Sequence, residues 1–363
     1  MACTEAPEPK AEIRIGMLLS RSGESARFGQ TTVEGVELAV QQINDAGGLV
    51  VGGHPHKVVL IVEDFPVAPE AAMQAARRLI NQENVTALVG PLMSTTAIPV
   101  ATLAEQTQIP MITPSATNPA VTHGKRFVFR VAFVDDFQGR VIARFAYEEL
   151  TARTAAVLYD VADPYSRDLA TVFKQIFEEA GGRVVVFEPY TTGEQDFRPP
   201  LARIREAAPE VLFLPNYSNA TRAQGRQAAA MGITATLLGS DRWNQTMYAG
   251  LPVFEGAYYT HHWHPDIANE QGRAFIEAYR AAYGTMPGIG GAVSYDALGL
   301  LCQAIENAGS LDGEPIRDAL ARLNGYRGVT GTISYQGRGD PVKSAVIMQI
   351  KDGQAVFHKI VEP

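Results

Sequence analysis

Gly90 to Pro119, GPLMSTTAIPVATLAEQTQIPMITPSATNP, is the stretch of this 363-residue chain whose reading decides the fold. Two small-hydroxyl loops, one with Ser94, Thr95 and Thr96, the other with Ser115 and Thr117, each follow a short apolar strand. A helix-like segment through Ile98 to Leu103 runs between them. In α/β sheets of this kind, ligands sit outside the carboxyl ends of the strands. Small hydroxyls placed there suit a polar small molecule. Neither loop has a neighbouring base that would activate a hydroxyl, so the pattern points to recognition and not to catalysis.

The surrounding sequence extends the same alternation. Ile13 to Leu19, Val58 to Val62 and Ala87 to Val89 read as strands. Between them, Val33, Val36, Val40 and Ile43 recur at helical spacing up to Gly47-Gly48, and Ala68 to Ile80 carries Met73, Ala76 and Ile80 on one stripe. The pattern restarts after Phe127 to Val131. Helices are expected at Phe137 to Leu150, Leu169 to Ala180, Leu201 to Ala207 and Arg222 to Met231. Strands are expected at Ala155 to Tyr159, Val184 to Phe187, Val211 to Leu214 and Thr236 to Leu238. Two long helices follow, near Ile267 to Tyr283 and Ala292 to Ala308. A hairpin, Ser344 to Ile350 and Ala355 to Ile360, turns at Asp352-Gly353. The expectation is two α/β units of one architecture, each a parallel sheet with helices on both faces.

The totals agree. At 363 residues, two domains are the natural division. A net charge of −8 argues against a nucleic-acid surface. No apolar run approaches the roughly 20 residues that span a bilayer. The two cysteines, Cys3 and Cys302, lie in a polar tail and a helical pattern and are not expected to pair. Residues 1–12 read as a Pro- and Glu-rich tether, and Ala2-Cys3 resembles the end of a bacterial lipoprotein cleavage site. On that reading Cys3 is the lipidated first residue and the signal peptide is absent from this chain.

At this point the chain resembles a known family, the periplasmic leucine/isoleucine/valine-type amino-acid-binding proteins of ABC importers. IRIGMLLSRSGESARFGQTTVEGVELAVQQINDAGG is similar to the family's opening strand, ligand loop and helix. GPLMSTTAIP and MITPSATNP are similar to its two central ligand loops, AVLYDVADPYSRDLA to the start of its second lobe, and YDALGLLCQAIENAG to its late helix. The resemblance implies a type I periplasmic-binding-protein fold, α/β and bilobal, with two doubly wound sheets joined by a three-crossing hinge. Residues 13–134 and 261–335 are expected to form lobe 1, and 135–260 and 336–363 lobe 2. The lobes would close on a ligand by hinge motion.

The resemblance also assigns a site. Ser94 and Thr117 match residues that hold the α-carboxylate, Thr117 meeting the ammonium as well. Ser115, beside Ala116, matches a position whose backbone carbonyl accepts from the ammonium. Asp241 matches the acid that pairs with the ammonium from lobe 2, where some relatives carry Glu. Tyr165 and Tyr217 match aromatics that close over the ligand, and Phe28 a first-lobe aromatic. Trp243 and Tyr295 are lesser candidates. Met93 stands where some relatives have a disulfide cysteine, and so borders the pocket. Residue by residue there are plainer readings: helix N-caps for Ser94 and Thr117, a turn charge for Asp241, ordinary surface or core aromatics for Tyr165, Tyr217 and Phe28.

Other constellations were set aside. His261, His262 and His264 surround Trp263, but two histidines on one strand face lack a third ligand, and a polar interlobe strand is the simpler reading. Gly288 to Val293, GIGGAV, follows no strand and reads as a helix-start loop. Asp135-Asp136 reads as acidic residues at a helix start. The expectation is a solute-binding protein, not an enzyme, without cofactor or metal. It would be a monomer in the periplasm or otherwise outside the cytoplasm, capturing an aliphatic or other hydrophobic amino acid for an ABC-transporter permease. It would bind no nucleic acid and touch the membrane only through a lipid anchor. A sensor of the same fold, or a binder of a carboxylate or amide solute, is the alternative.

Overall fold

The computed structural model describes residues 12–21 and 26–363. Cys3 and residues 1–11 of the expected tether lie outside the described residues. The chain opens with β1 (Glu12–Leu19), α1 (Ala26–Asp45), β2 (Leu49–Val51), β3 (His54–Asp64) and α2 (Pro69–Asn81). It continues through β4 (Ala87–Val89), α3 (Ser94–Thr107), β5 (Met111–Thr113) and β6 (Val128–Arg130). These strands make one sheet in the order β2-β3-β1-β4-β5-β6, parallel except for the β2–β3 hairpin.

The chain then crosses to a second sheet. There follow α4 (Asp135–Arg144) with a π-helical turn at Phe145–Glu149, β7 (Thr154–Asp160), α5 (Pro164–Glu179), β8 (Arg183–Tyr190) and α6 (Arg198–Ala207). Next come β9 (Val211–Phe213), α7 (Ser218–Ala230), β10 (Thr236–Gly239), α8 (Gln245–Tyr248) and β11 (Tyr258–His261). A second crossing returns it to the first body as α9 (Glu270–Tyr283), α10 (Ile289–Ala308), α11 (Gly313–Arg322) and the small hairpin β12 (Tyr326–Gly328) and β13 (Gly331–Ile333). The third crossing delivers β14 (Ala345–Lys351) and β15 (Gln354–Val361), the antiparallel edge of a sheet ordered β15-β14-β11-β10-β9-β7-β8.

Burial shows which segments belong together. Ile13, Val89 and Phe129 share one apolar cluster with Leu298, Leu301, Ile316 and Tyr335, so α10 and α11 cover the first sheet. Phe133, Ile142, Phe173, Phe213 and Ile347 form another cluster around the second sheet. Each sheet has a switch point, where strands leave in opposite directions from a central one: β1 lies between β3 and β4, and β7 between β8 and β9. Loops at such points part from each other and leave a crevice at the carboxyl ends.

Several sequence expectations need adjusting. The buried stripe of α2 is Ala72, Ala75, Ala76 and Leu79, one residue off the expected face; Met73 and Ile80 sit at its margin. The GIGGAV segment is not a loop, because α10 already begins at Ile289. Its glycines let two long helices touch: a Cβ on Gly35 of α1 would stand 2.3 Å from the Gly291 carbonyl oxygen. Ser294 uses the closeness, its hydroxyl donating to the Thr32 carbonyl at 2.9 Å. Tyr295 faces α1 and α9, donating to Gln42 and meeting the Phe275 ring, away from the crevice.

This contact gives a prediction. Gly35→Ala should lower stability by about 1–3 kcal/mol, because two backbones must separate to admit one methyl group. Urea unfolding measures it, and a midpoint equal to that of the unaltered protein would show that the helices part freely.

Candidate functional site

The two crevices face each other, and the site is built from the ends of seven strands. Phe28 lies in the first turn of α1, after β1, and Met93 and Ser94 follow β4. Ser115, Ala116 and Thr117 follow β5, Tyr165 follows β7 and Tyr217 follows β9. Asp241 follows β10 and His262 follows β11.

On the first-body side, Ser94, Ser115, Ala116 and Thr117 are all buried. Ser94 is the first residue of α3 and does not cap it; Met93 holds the cap position. The Ser94 hydroxyl instead accepts the Asn118 N–H at 3.2 Å, tying the two hydroxyl loops together. The first turn of α3 therefore presents N–H groups without intrahelical acceptors, which suit a carboxylate. Ser115 donates its hydroxyl to the Leu92 carbonyl at 2.8 Å, so its side chain is spent within the protein. Arg130, fully buried, supports the loop from behind, donating to the Ala116 carbonyl at 2.9 Å and the Asn118 carbonyl at 3.0 Å.

On the second-body side, Asp163 caps α5, accepting from the Tyr165 and Ser166 N–H groups at 2.8 and 3.2 Å. Pro164 takes the first helical position, where its missing N–H costs nothing. This start points Tyr165 inward. Its hydroxyl lies 2.7 Å from both Ser240 Oγ and Asp241 Oδ1. The Tyr217 ring lies beside it, 5.3 Å between centroids. Burial opposes ionisation of Asp241, but hydrogen bonds from His262 (Nε2 to Oδ2, 3.3 Å) and Tyr165, with the nearby charges of His262 and Arg242, hold its carboxyl below the ordinary value. Burial pushes the His262 pKa down against the raising effect of Asp241, and its ring lies 4.0 Å from that of Phe133 between centroids.

Asp135, read from sequence as a helix-start charge, is an incompletely satisfied member of the site. It is completely buried at the start of α4. Oδ1 accepts from Gln138 Nε2 at 2.9 Å, while Oδ2 has no hydrogen-bond partner. Burial, and then the charge of Asp241, hold its carboxyl well above the ordinary range, although Thr117 and Gln138 hydrogen-bond to it. Gln138 joins the acidic loops, its Oε1 accepting from the Asp241 N–H at 2.8 Å and the Thr260 hydroxyl at 2.6 Å. Sequence reasoning missed Asp135, Gln138 and His262. The only available signal was their position near a crossing.

Phe28, Met93, Tyr217, Asp241 and Trp243 line a common cavity with Arg242, a residue that sequence reasoning also passed over. Trp243 belongs mainly to the second core: its indole N–H donates to the Leu214 carbonyl at 3.1 Å, and its ring occupies the space beside Gly239, where a Cβ would come within 2.1 Å. Direct bonds bridge the bodies. Thr95 donates to Asp163 Oδ2 at 2.6 Å, and Asn118 Nδ2 donates to the Pro164 carbonyl and Asp168 Oδ2, each at 2.9 Å. The clamp is closed. Among the described residues no group of His, Cys, Asp and Glu is placed to hold a metal ion, and His261 spends Nδ1 on the Trp263 carbonyl at 2.6 Å.

Two sheet bodies joined by three crossings, with hydroxyls and helix amides facing buried carboxylates, define a solute-capturing clamp. The chain belongs to the periplasmic binding protein family, whose model matches residues 12–355. It is similar to the leucine-, isoleucine-, valine-, threonine- and alanine-binding protein of Pseudomonas aeruginosa, 29% identical over 333 residues that cover 90% of this chain and 87% of the relative. Among solved structures, it resembles the leucine-binding protein LivK of Thermotoga maritima at 33% identity and a TM-score of 0.91, covering 97% of this chain and 99% of that one. The LivJ protein of Streptococcus pneumoniae in complex with isoleucine is 28% identical with a TM-score of 0.89, covering 97% and 100%.

The unpaired acid makes a prediction. Asp135→Asn should raise the melting temperature of the ligand-free protein at neutral pH. A carboxyl whose folded-state pKa stands above its unfolded value, 3.8, weakens the fold progressively as pH rises from that value to the folded pKa. The advantage of Asn should therefore vanish near pH 3.8 and grow upward from there. A melting difference independent of pH would place the benefit elsewhere.

Proposed function

We propose that this protein captures an α-amino acid between its lobes outside the cytoplasm and presents the closed complex to the permease of an ABC importer. One observation carries the reading. The first body offers hydroxyls and helix-start amides, and beside them lie Asp241 and Asp135, the latter with its Oδ2 still without a hydrogen-bond partner. The first set suits a carboxylate and the second an ammonium, and an α-amino acid bears both on one carbon. Ser94 and Thr117 hold the carboxylate, the Ser115 carbonyl and the two aspartates surround the ammonium, and Tyr165 and Tyr217 close over it. Phe28 and Met93 give the side chain an apolar wall. The relatives' ligands, isoleucine and leucine among them, are of this class.

Residues 13–134 with 261–335, and 135–260 with 336–363, are the two moving lobes of this proposal. The apolar clusters support that division. Closure is driven by ligand contacts made in both lobes at once, so the ligand stabilises the form that the permease recognises. Nothing in this cycle breaks a bond of the solute.

The test is calorimetric titration of unfolded, dialysed and refolded protein with the standard amino acids. At least one should bind, and its deaminated carboxylate should not. Asp241→Ala should weaken binding by roughly 1–3 kcal/mol, since a charged group of the ligand loses its partner. Undiminished affinity in that variant would remove the ammonium assignment.

A further inference from the structure

Arg242 follows Asp241 directly, yet its side chain serves a different part of the crevice. Asp241 turns toward Tyr165 and His262. The Arg242 guanidinium lies over the Phe28 ring of the first body, 4.4 Å from its centroid, and 5.3 Å from the centroid of Tyr217 in the second. It borders the cavity shared by Phe28, Met93 and Tyr217, and also a smaller one lined by Phe65 and Leu92. Among the described residues it forms no ion pair or hydrogen bond with any side chain or carbonyl.

That arrangement leaves work undone. Aromatic faces attract a guanidinium, but its five N–H donors need acceptors. In the closed clamp Arg242 is half-buried, so solvent meets only part of that need. An aliphatic ligand side chain would leave those donors facing hydrocarbon. A carboxylate would take two of them at once in the paired geometry that guanidinium favours. Opposite charges also pair: ligand ammonium with Asp241, ligand side chain with Arg242.

Building on the amino-acid reading of the site, we propose that Arg242 is a specificity residue that selects an α-amino acid whose side chain ends in a carboxylate. The cavity it borders also touches Asp241, so such a side chain is short. L-Aspartate and L-glutamate are the probes of that class.

The experiment is calorimetric titration of ligand-stripped protein with L-aspartate, L-glutamate, L-glutamine and L-leucine, in the unaltered protein and in Arg242→Ala. One of the two acids should bind roughly tenfold or more tightly than glutamine and leucine. Arg242→Ala should erase that preference while leaving any leucine or glutamine affinity within about threefold, with an unchanged circular dichroism spectrum. Tighter binding of leucine or glutamine by the unaltered protein would overturn the proposal and leave the amino-acid site standing. So would an Arg242→Ala variant that loses affinity for every ligand equally, since Arg242 would then only bridge the lobes. Failure of every α-amino acid to bind would remove both readings together.

Discussion

The loop of Ser115 and Thr117 depends on a charge buried behind it. Arg130 is wholly buried and is held by one carboxylate, Asp340, whose Oδ1 lies 2.7 Å from Nε. Its remaining donors reach the Ala116 and Asn118 carbonyls and the Thr122 hydroxyl. A buried guanidinium tolerates neither a missing partner nor a displaced one, because an uncompensated charge in a dry interior costs several kcal/mol. The loop of Ser115, Ala116 and Thr117 is thereby fixed without help from any ligand. Asp340 lies on the third crossing, and Tyr335 and Gly339 of the same segment also bond to the Arg130 backbone at 3.0 Å. The hydroxyl loop and the hinge are consequently one rigid assembly.

Against that rigid side the second body sets an unstable one. Asp135 and Asp241 are both buried; burial and the Asp241 charge hold the Asp135 carboxyl well above its ordinary range, while hydrogen bonds from His262 and Tyr165 hold Asp241 below its own. On the proposed function, the ammonium of a bound amino acid would relieve the repulsion between the two. A ligand that relieved it would favour the closed form by that difference. Thr95–Asp163 and the Asn118 contacts then act as reporters of closure, since each joins residues from opposite lobes.

Much of this was legible in the sequence, because alternation of strand and helix is a local pattern. Ala87 to Val89 appears as β4 with the expected limits. The loop of Ser115 and Thr117 follows β5 as expected, whereas Ser94, Thr95 and Thr96, read as a loop, form the first turn of α3. What escaped was either short or non-local. The three residues of β2 carry too few side chains to show a period. α11 has Ile316, Ala319 and Leu320 buried at helical spacing, but ten residues gave a weak signal beside the long α10. The start of α5 was readable in principle, since Asp163-Pro164 is a cap followed by a first-turn proline. Asp135 escaped for another reason. Its dipole role is real, but its chemistry comes from Asp241 and Thr117, which no spacing rule brings together. His262 and Arg242 likewise acquire meaning only once β10 and β11 are neighbours.

The three crossings also govern how the chain can reach this state. Ile13 and Ile333 belong to one apolar cluster, so the first body is incomplete until nearly the whole chain is available. The second body needs β14, which arrives later still. Neither body can condense as an autonomous unit from a continuous N-terminal piece. Folding dominated by such distant pairings is slow, because long loops must close before their contacts form. Under the proposed role outside the cytoplasm, that delay would be an advantage, since a chain slow to fold stays loose enough to be threaded outward.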